Sequence, residues 1–544
     1  MKKKADIQPI FKPYHQNQVE LLPPSLDELV PSGHLVRTVN HIIDQMNIDK
    51  IFATYKGGGT SSYHPRMLLK IIVYGYTQKV YSSRRLAKAV REQIPFMWLA
   101  GGNRPDFRTL NNFRSSRLKG HINDIFKTLV ELLLDAGLVK LEDYFLDGTK
   151  IESRANRYSF VWKKSTANYE AKLQSKLRTL LKEIDRTNDE ENARYGDRDL
   201  EELGEDSHVS SDQIEQTLKK LESKLSLQPD NKQLKKTVKT VKQDILPRQQ
   251  KYEQQRRTLN GRNSFSKTDP DATFMRMKDD HMQNGQLKPG YNIQTGVSDQ
   301  FILHYSIHQS PGDASLLKPH FESFKTSYNR MPDNVIADAG YGSEENYEYL
   351  EQNKTTAYVK YSGFYREEKR KFRNNQFLAQ HLPYDPEEDV YVCPAGKRLC
   401  FTGEQSRRSL NGYQSVYRVY RCESCKGCTL KPQCHKGEYD RVIAVNCRLN
   451  ELRKEARRLL DSPDGRRYRG RRLAEVESVF AQVKNRSFRR FTMWGLKGAS
   501  VEFGLAAMAH NIMKLGEIMK KDGGNEHPFF FFWEISNFLC LQTV

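Results

Sequence analysis

Apolar residues recur at helical spacing through the first quarter of the chain. After Tyr63-His64-Pro65, residues Met67, Leu68, Ile71, Ile72 and Tyr76 share one face, which predicts a helix opened by Pro65. Ser82-Ser83 offers an N-cap for a second helix over Arg84–Gln93, with Leu86, Ala87 and Val90 inward. Asp106 is the expected cap of a third, with Leu110 and Phe113 facing the core. Residues 1–135 are therefore expected to form an all-α unit.

The pattern then changes to that of strands. Asp143-Tyr144-Phe145-Leu146-Asp147-Gly148-Thr149-Lys150-Ile151 reads as a strand with an acid near its end. Tyr291–Val297 and Phe301–Tyr305 read as a hairpin turned at Ser298-Asp299-Gln300. A helix is expected over Asp313–Phe324, then a strand over Asn334–Asp338. Ser343 caps a helix over Glu344–Leu350, and Thr356–Lys360 is the next strand. The order implies an α/β fold, a mixed sheet flanked by helices, over 136–164 and 261–375.

Residues 165–260 interrupt that sheet. Tyr169, Leu173, Leu177, Leu180 and Ile184 mark one amphipathic helix, Ile214, Leu218, Leu221 and Leu225 another, and Leu234, Val238, Val241 and Ile245 a third. Lys, Glu and Gln fill the remaining positions, as in a helical hairpin or coiled-coil insert, and a solvated spacer is as good a reading as a contact surface. A Cys-rich insert follows over 376–450. Residues 451–520 are helical again, with Val476, Val479, Phe480 and Val483 as an apolar stripe and Glu477 beside it. An aromatic tail closes the chain at 521–544.

Charge narrows the function. The 544 residues carry 88 Lys+Arg against 67 Asp+Glu, a formal +21, which favours a polyanionic partner, nucleic acid or an acidic membrane surface. The most apolar stretch, Phe529–Leu541, is interrupted by Glu534 and falls short of the roughly 20 residues of a spanning helix. The basic start Met1–Asp6 has no apolar run behind it and does not read as a signal peptide. No membrane partner is expected, and a cytoplasmic, nucleoid-associated location is. Arg84, Arg85, Lys88, Arg91, Arg104, Arg108, Arg114, Arg117 and Lys119 sit on the N-terminal helices. They suit a helix-turn-helix-like DNA-binding unit, or else a basic bundle with solvated charges.

Two groups of residues carry candidate chemistry. Asp147 and Asp338 end strands and Glu477 lies on a helix. Carboxylates so placed can hold the hard, oxygen-seeking Mg²⁺ that phosphoryl transfer requires. The second group is Cys422-x2-Cys425-x2-Cys428-x5-Cys434 with Cys393 upstream. Close-spaced thiolates suit a tetrahedral structural Zn²⁺, and Cys393, Cys422, Cys425 and Cys434 are the first choice. Cys428 is the chief substitute, His435 a further candidate, and an iron–sulfur cluster a poorer fit. Cys400, Cys447 and Cys540 read as simple buried thiols.

Taken together, these segments resemble the DDE transposases of bacterial insertion sequences, whose catalytic core is RNase H-like. Tyr144–Glu152 is similar to the strand of the first aspartate. Lys267-Thr268-Asp269-Pro270-Asp271-Ala272 with Gly290–Gln294 is similar to the approach to the second strand. Asp338-Ala339-Gly340-Tyr341-Gly342-Ser343 with Asn346 looks like the second-aspartate motif. Val476–Phe480 with Lys484 and Phe488–Phe491 looks like the glutamate helix, and Pro105–Leu110 with Phe113-Arg114 resembles the preceding helical domain. The resemblance covers roughly residues 15–515.

The resemblance implies that Asp147, Asp338 and Glu477 are catalytic and hold two Mg²⁺, with Mn²⁺ able to substitute. It implies binding of terminal inverted repeats, cleavage at the element ends, and joining of the freed 3′-hydroxyls to target DNA. A homodimer or larger assembly is then expected on DNA. Arg84, Arg85, Lys88, Arg108, Arg114, Arg472, Lys484, Arg489 and Arg490 are the expected DNA contacts. A related group carries Tyr, Arg, Glu and Lys at fixed spacing around the glutamate. Glu477 and Lys484 fit that spacing. Leu473 stands where the arginine is expected, Arg471 and Arg472 lie adjacent, and Tyr468 is offset. Glu475 rivals Glu477, and Asp143 rivals Asp147. Two other functions stay open: an inactive, transposase-derived DNA-binding protein, and an RNase H-like nuclease without strand transfer.

Overall fold

The structure is a computed structural model that describes residues 24–55, 61–195, 208–277, 285–409, 411–486 and 488–521, with the backbone alone over 181–195. The aromatic tail, Cys540, the basic start and the side chain of Ile184 lie outside the described residues. Among the described residues no helix is long and apolar enough to cross a membrane.

In chain order the strands of the α/β core are β1 (Asp143–Glu152), β2 (Phe160–Trp162), β3 (Ser264–Ser266), β4 (Thr273–Arg276), β5 (Leu287–Ser298), β6 (Phe301–His308), β7 (Asn334–Ala337) and β8 (Thr356–Val359). Six of them form one sheet in the order β4-β5-β1-β7-β8, with β6 also paired to β5. The first half is antiparallel (β1, β5, β6) and the second parallel (β1, β7, β8). This is the RNase H-like arrangement that the resemblance implies. Parallel pairing of Phe145 with Ile336 has a direct consequence: two residues further on, Asp147 lies beside Asp338.

The β5–β6 turn needs unusual backbone. Asp299 and Gln300 have φ of 48° and 62°, the left-handed region that a two-residue hairpin requires and that side chains resist. The turn is held from outside. Glu475 accepts from the Gln300 N–H at 2.7 Å, and Arg471 pairs with Asp299 at 2.9 Å. His510 lies 2.9 Å from the Gln300 carbonyl.

The N-terminal helices share their core with the sheet. One buried cluster includes Val39 and Ile72, Leu129, Tyr144 and Ile336, then Val501 and Leu515. The long helix Gly495–Lys521 joins the halves, packing against the helices Pro65–Thr77 and Ile122–Asp135 and against β6. Its first turn is fixed by the Lys267–Ala272 segment. Asp269 accepts from Gly495 N at 3.2 Å, and Asp271 from Leu496 N at 2.9 Å, placing carboxylates on a helix N-terminus. Asp106 and Ser343 cap their helices as the sequence predicts.

Both inserts are separate packing units. The first is a helical bundle with its own core of Leu173, Leu177, Ile214, Leu218, Val241 and Ile245. Tyr169, expected on its apolar face, is exposed. The Cys-rich insert holds an antiparallel sheet that the sequence reading did not contain: β9 (Tyr384–Asp385), β10 (Val390–Val392), β11 (Arg398–Arg408), β12 (Gln414–Cys422) and β13 (Val442–Val445). Its hairpin docks on the helix Glu344–Gln352, where Ser415 donates to Glu344 at 2.6 Å and Tyr413 to Glu348 at 2.7 Å. The insert is thus fixed to the helix that follows Asp338. Cys447, expected to be buried, is exposed at the start of the helix Cys447–Asp461.

Candidate active site

The three acids singled out in the sequence converge on one guanidinium. Arg472 Nη2 lies 2.9 Å from Asp147 and 3.9 Å from Asp338, and its Nη1 lies 3.9 Å from Glu477. The arginine side chain is only 11% exposed. Asp147 is buried on β1, Asp338 follows β7, and Glu477 ends a helical turn on a third element. Asp338 is further fixed by its own backbone, accepting from Gly340 N at 2.8 Å.

A π turn explains how Arg472 reaches this point. Leu473–Glu477 is wound as a π-helix within an otherwise α-helical run. A π turn adds one residue, so positions five apart align where an α-helix aligns positions four apart. Leu473, four before Glu477, is therefore turned outward and exposed, and Arg472, five before it, faces the acids. The one-residue offset noted in the sequence is absorbed by this local change of helix.

A polar layer lies beneath the acids, and the sequence reading did not include it. Asp313 Oδ1 accepts from Asn292 at 2.7 Å and from Gln294 at 3.0 Å. The helix expected from Asp313 begins at Leu317, which leaves Asp313 in the preceding turn, able to reach β5. Tyr341 is fully buried and donates its hydroxyl to Gln294 Oε1. Burial first, then Asp313, Asp147 and Asp338, push its phenol well above the ordinary value, so it stays a neutral donor. Gly148 is dictated by this layer. A Cβ there would stand 2.5 Å from Gln294 Nε2 and 2.8 Å from Asp313 Oδ1.

Geometry also separates the rival acids. Asp143 accepts from Tyr468 at 2.7 Å and from Asn334 at 2.9 Å, at the far end of β1. Glu475 is buried, holding the Gln300 amide and pairing with Arg471 at 2.7 Å. Both tie the glutamate helix to the sheet.

A basic groove of about 990 Å³ opens between the N-terminal helices and the segment after the glutamate helix. Arg84, Arg108, Lys119, Arg154, Arg490 and Trp494 line it. The Arg154 guanidinium stands 5.2 Å from the exposed Trp494 ring, and Arg84 and Arg108 lie at 5.2 and 5.7 Å from Phe107. Arg85, Lys88 and Arg489 are exposed and Lys484 is half-buried. Three other expected DNA contacts are held by partners within the fold. Arg114 is buried, donating to the Tyr81 carbonyl at 2.7 Å with Glu502 at 3.8 Å. Arg490 donates to the carbonyls of Ser153 and Arg154 at 3.0 Å each, clamping the segment after β1. Arg472 faces the carboxylates.

The clustered cysteines meet around a cavity of about 20 Å³ lined by Cys393, Cys422, Cys425, Cys428, Cys434 and His435. That volume suits a single ion or water. Arg441 donates to Cys434 Sγ at 2.9 Å, and its backbone N–H to Cys425 Sγ at 3.3 Å. Burial, and then the neighbouring Cys425, push the Cys422 thiol up to about 12. His435 Nε2 is buried without a hydrogen-bond partner. Among the described residues no three His, Cys, Asp or Glu side chains are already spaced to hold a metal ion.

A family model described as a transposase DDE domain matches residues 392–516, a span that contains Glu477 and Lys484. A second, described as a transposase domain, matches residues 24–116. Asp147 and Asp338 fall outside both matches, and it is the sheet that brings them to Glu477. No curated protein matches the chain.

Proposed function

We propose that the chain is an insertion-sequence DDE transposase that binds its element's terminal inverted repeats, cuts there, and joins the ends to target DNA, a reading that the two transposase family models support. One observation carries this reading: acids 191 and 139 positions apart (338 − 147 and 477 − 338) close on one point. All three donors are carboxylate oxygens, the chemistry a hard divalent ion selects, and the guanidinium among them already acts as a cation. Asp147, Asp338 and Glu477 would hold Mg²⁺, or Mn²⁺ in its place. Such ions supply charge stabilisation to the oxygens entering and leaving phosphorus during in-line displacement.

The protein's own part is placement. The β1–β7 register fixes the two aspartates, the Asp313–Gln294–Tyr341 layer closes against Gly148 next to Asp147, and Glu477 stays exposed. The basic groove suits the DNA backbone, with Arg84, Arg108, Lys119 and Arg154 on its walls and Trp494 as an exposed aromatic face. Its Arg154 wall lies just past the end of β1, which runs five residues (152 − 147), or ~17 Å of strand, beyond Asp147. Lys484 and Arg489 are the nearer basic candidates along the glutamate helix. Joining two ends requires at least a dimer on DNA, and chromosomal DNA as substrate places the protein in the cytoplasm. Cys393, Cys422, Cys425 and Cys434 would hold a structural Zn²⁺, with Cys428 or His435 as alternates. The thiol-lined cavity supports that assignment.

Incubating the purified protein with DNA from its element's ends and Mg²⁺ tests the reading. Cleavage and joining are expected, and both should vanish in Asp147→Asn. Full activity in that variant refutes the catalytic assignment. Hydrolysis without joining would favour a nuclease, and binding alone an inactive relative. For zinc, metal analysis after changing both Cys422 and Cys425 to Ser should show its loss, and unchanged zinc refutes the site.

A further inference from the structure

The position of Arg472 suggests more than a DNA contact. Its positive group stands among the three carboxylates, in contact or near contact with each. It is charge-compensated there but not satisfied as a donor. Nε and Nη2 are buried and have no hydrogen-bond partner; Nη2 approaches Asp147 at 2.9 Å but without hydrogen-bonding geometry. Buried guanidinium donors without acceptors are costly, so the arrangement is one from which a better acceptor can draw the arginine. The Nε–Nη2 edge of a guanidinium is the fork that matches two oxygens of one phosphate. The residue also sits at the start of a π turn, a winding that often marks functional sites.

We propose that Arg472 is a placeholder cation: it neutralises Asp147, Asp338 and Glu477 until divalent metal takes those carboxylates, and then turns its Nε–Nη2 edge to a DNA phosphate. The proposal rests on the reading of the three acids as the metal-holding set. The arginine competes with metal when DNA is absent, because both are cations drawn to the same oxygens. Once a phosphate accepts the guanidinium, that competition ends. Metal and DNA therefore bind cooperatively, and the coupling is reciprocal: DNA tightens metal by the same factor as metal tightens DNA. Without DNA the protein holds metal weakly, which keeps the hydrolytic centre unassembled until a substrate is in place.

The test is Mn²⁺ binding to the full chain without DNA, followed by electron paramagnetic resonance or calorimetry. R472Q should bind Mn²⁺ at least tenfold more tightly than the natural protein, each tenfold being about 1.4 kcal/mol. R472K, which keeps the charge, should bind nearly as the natural protein does. Unchanged or weaker binding in R472Q overturns the proposal. If thermal melting shows that R472Q does not fold, R472M carries the same comparison with the aliphatic stem retained. A short duplex added at low salt should tighten Mn²⁺ binding to the natural protein and have little effect on R472Q; equal coupling in both overturns the proposal too. D147N separates the two levels. If D147N binds Mn²⁺ as well as the natural protein, the carboxylate reading itself fails. If D147N loses the metal while R472Q matches the natural protein, only the placeholder role fails.

Discussion

The buried pair Arg114–Glu502 should prove one of the costliest places to cut this fold. Glu502 has no exposure in the helix Gly495–Lys521 and accepts from Thr492 N at 2.6 Å, from Met493 N at 3.0 Å and from the Thr492 hydroxyl. Arg114 Nη1 stands 3.8 Å from it, tying the turn Phe113–Arg117 of the N-terminal helices to that long helix. Opposite charges at this separation attract by about 4 kcal/mol at an effective dielectric near 20, and removing both ions from water offsets much of that gain. Deleting one partner leaves the other buried without its countercharge. R114M and E502Q should therefore each lose about 3–5 kcal/mol. The double variant should lose less than their sum, with a coupling of about 1–3 kcal/mol. Urea denaturation of the four proteins, followed by circular dichroism, measures the cycle. Strictly additive losses would refute the coupling, and a loss below about 1 kcal/mol in either single variant would refute the burial argument. Thr492 and Met493 also line the basic groove, so both single variants should bind duplex DNA more weakly at low salt.

Gly148→Ala should cut cleavage at least about tenfold with the fold retained by circular dichroism, because its Cβ meets Gln294 and Asp313; undiminished activity refutes the close-contact argument. Glu475→Ala should lower stability by about 1–3 kcal/mol by orphaning the Gln300 amide in its left-handed turn, while Mn²⁺ binding stays intact. Loss of Mn²⁺ binding with stability unchanged would make Glu475 the metal acid instead of Glu477. His304, His308 and His320 form a network, buried at His304 and His320 and half-buried at His308, with Tyr144, Ser306 and Ser323. Burial holds His304 near 3, His308 near 4 and His320 well below the ordinary 6.5. The unfolded chain takes up protons at these histidines below pH 6.5 and the folded one does not, so stability is complete above that pH and falls as pH drops through 6.5 toward 4. The slope approaches about 1.4 kcal/mol per pH unit for each histidine. Melting temperatures equal at pH 7.5 and 5.5 would contradict it.

Much of the secondary structure was legible because periodicity reports which face of an element meets a core. The strand over Asp143–Ile151, the Phe301 strand, and the caps Asp106 and Ser343 rest on local pattern alone, and the structure contains them. The sheet of the Cys-rich insert was not legible. Its strands are short or largely exposed, so little alternation marks them. The Cys447 thiol was misplaced for a related reason: a small side chain at a helix start carries no periodic signal of its own.

Alternating strands and helices, acids at strand ends and the surplus of positive charge could all be read along the chain, since each depends on residue types and their local spacing. Which long side chain meets which partner became visible only in the folded molecule. Arg84 and Arg114 look alike in sequence and both border the groove, yet Arg84 is exposed there while Arg114 is buried against Glu502. Asp313 looks like a helix start and instead bonds Asn292 and Gln294 beside Gly148. Arg472 looks one residue out of place, and a π turn brings it to Asp147, Asp338 and Glu477. Those outcomes depend on how elements far apart in the chain cross, and on a single extra residue in a helical turn, neither of which local periodicity encodes.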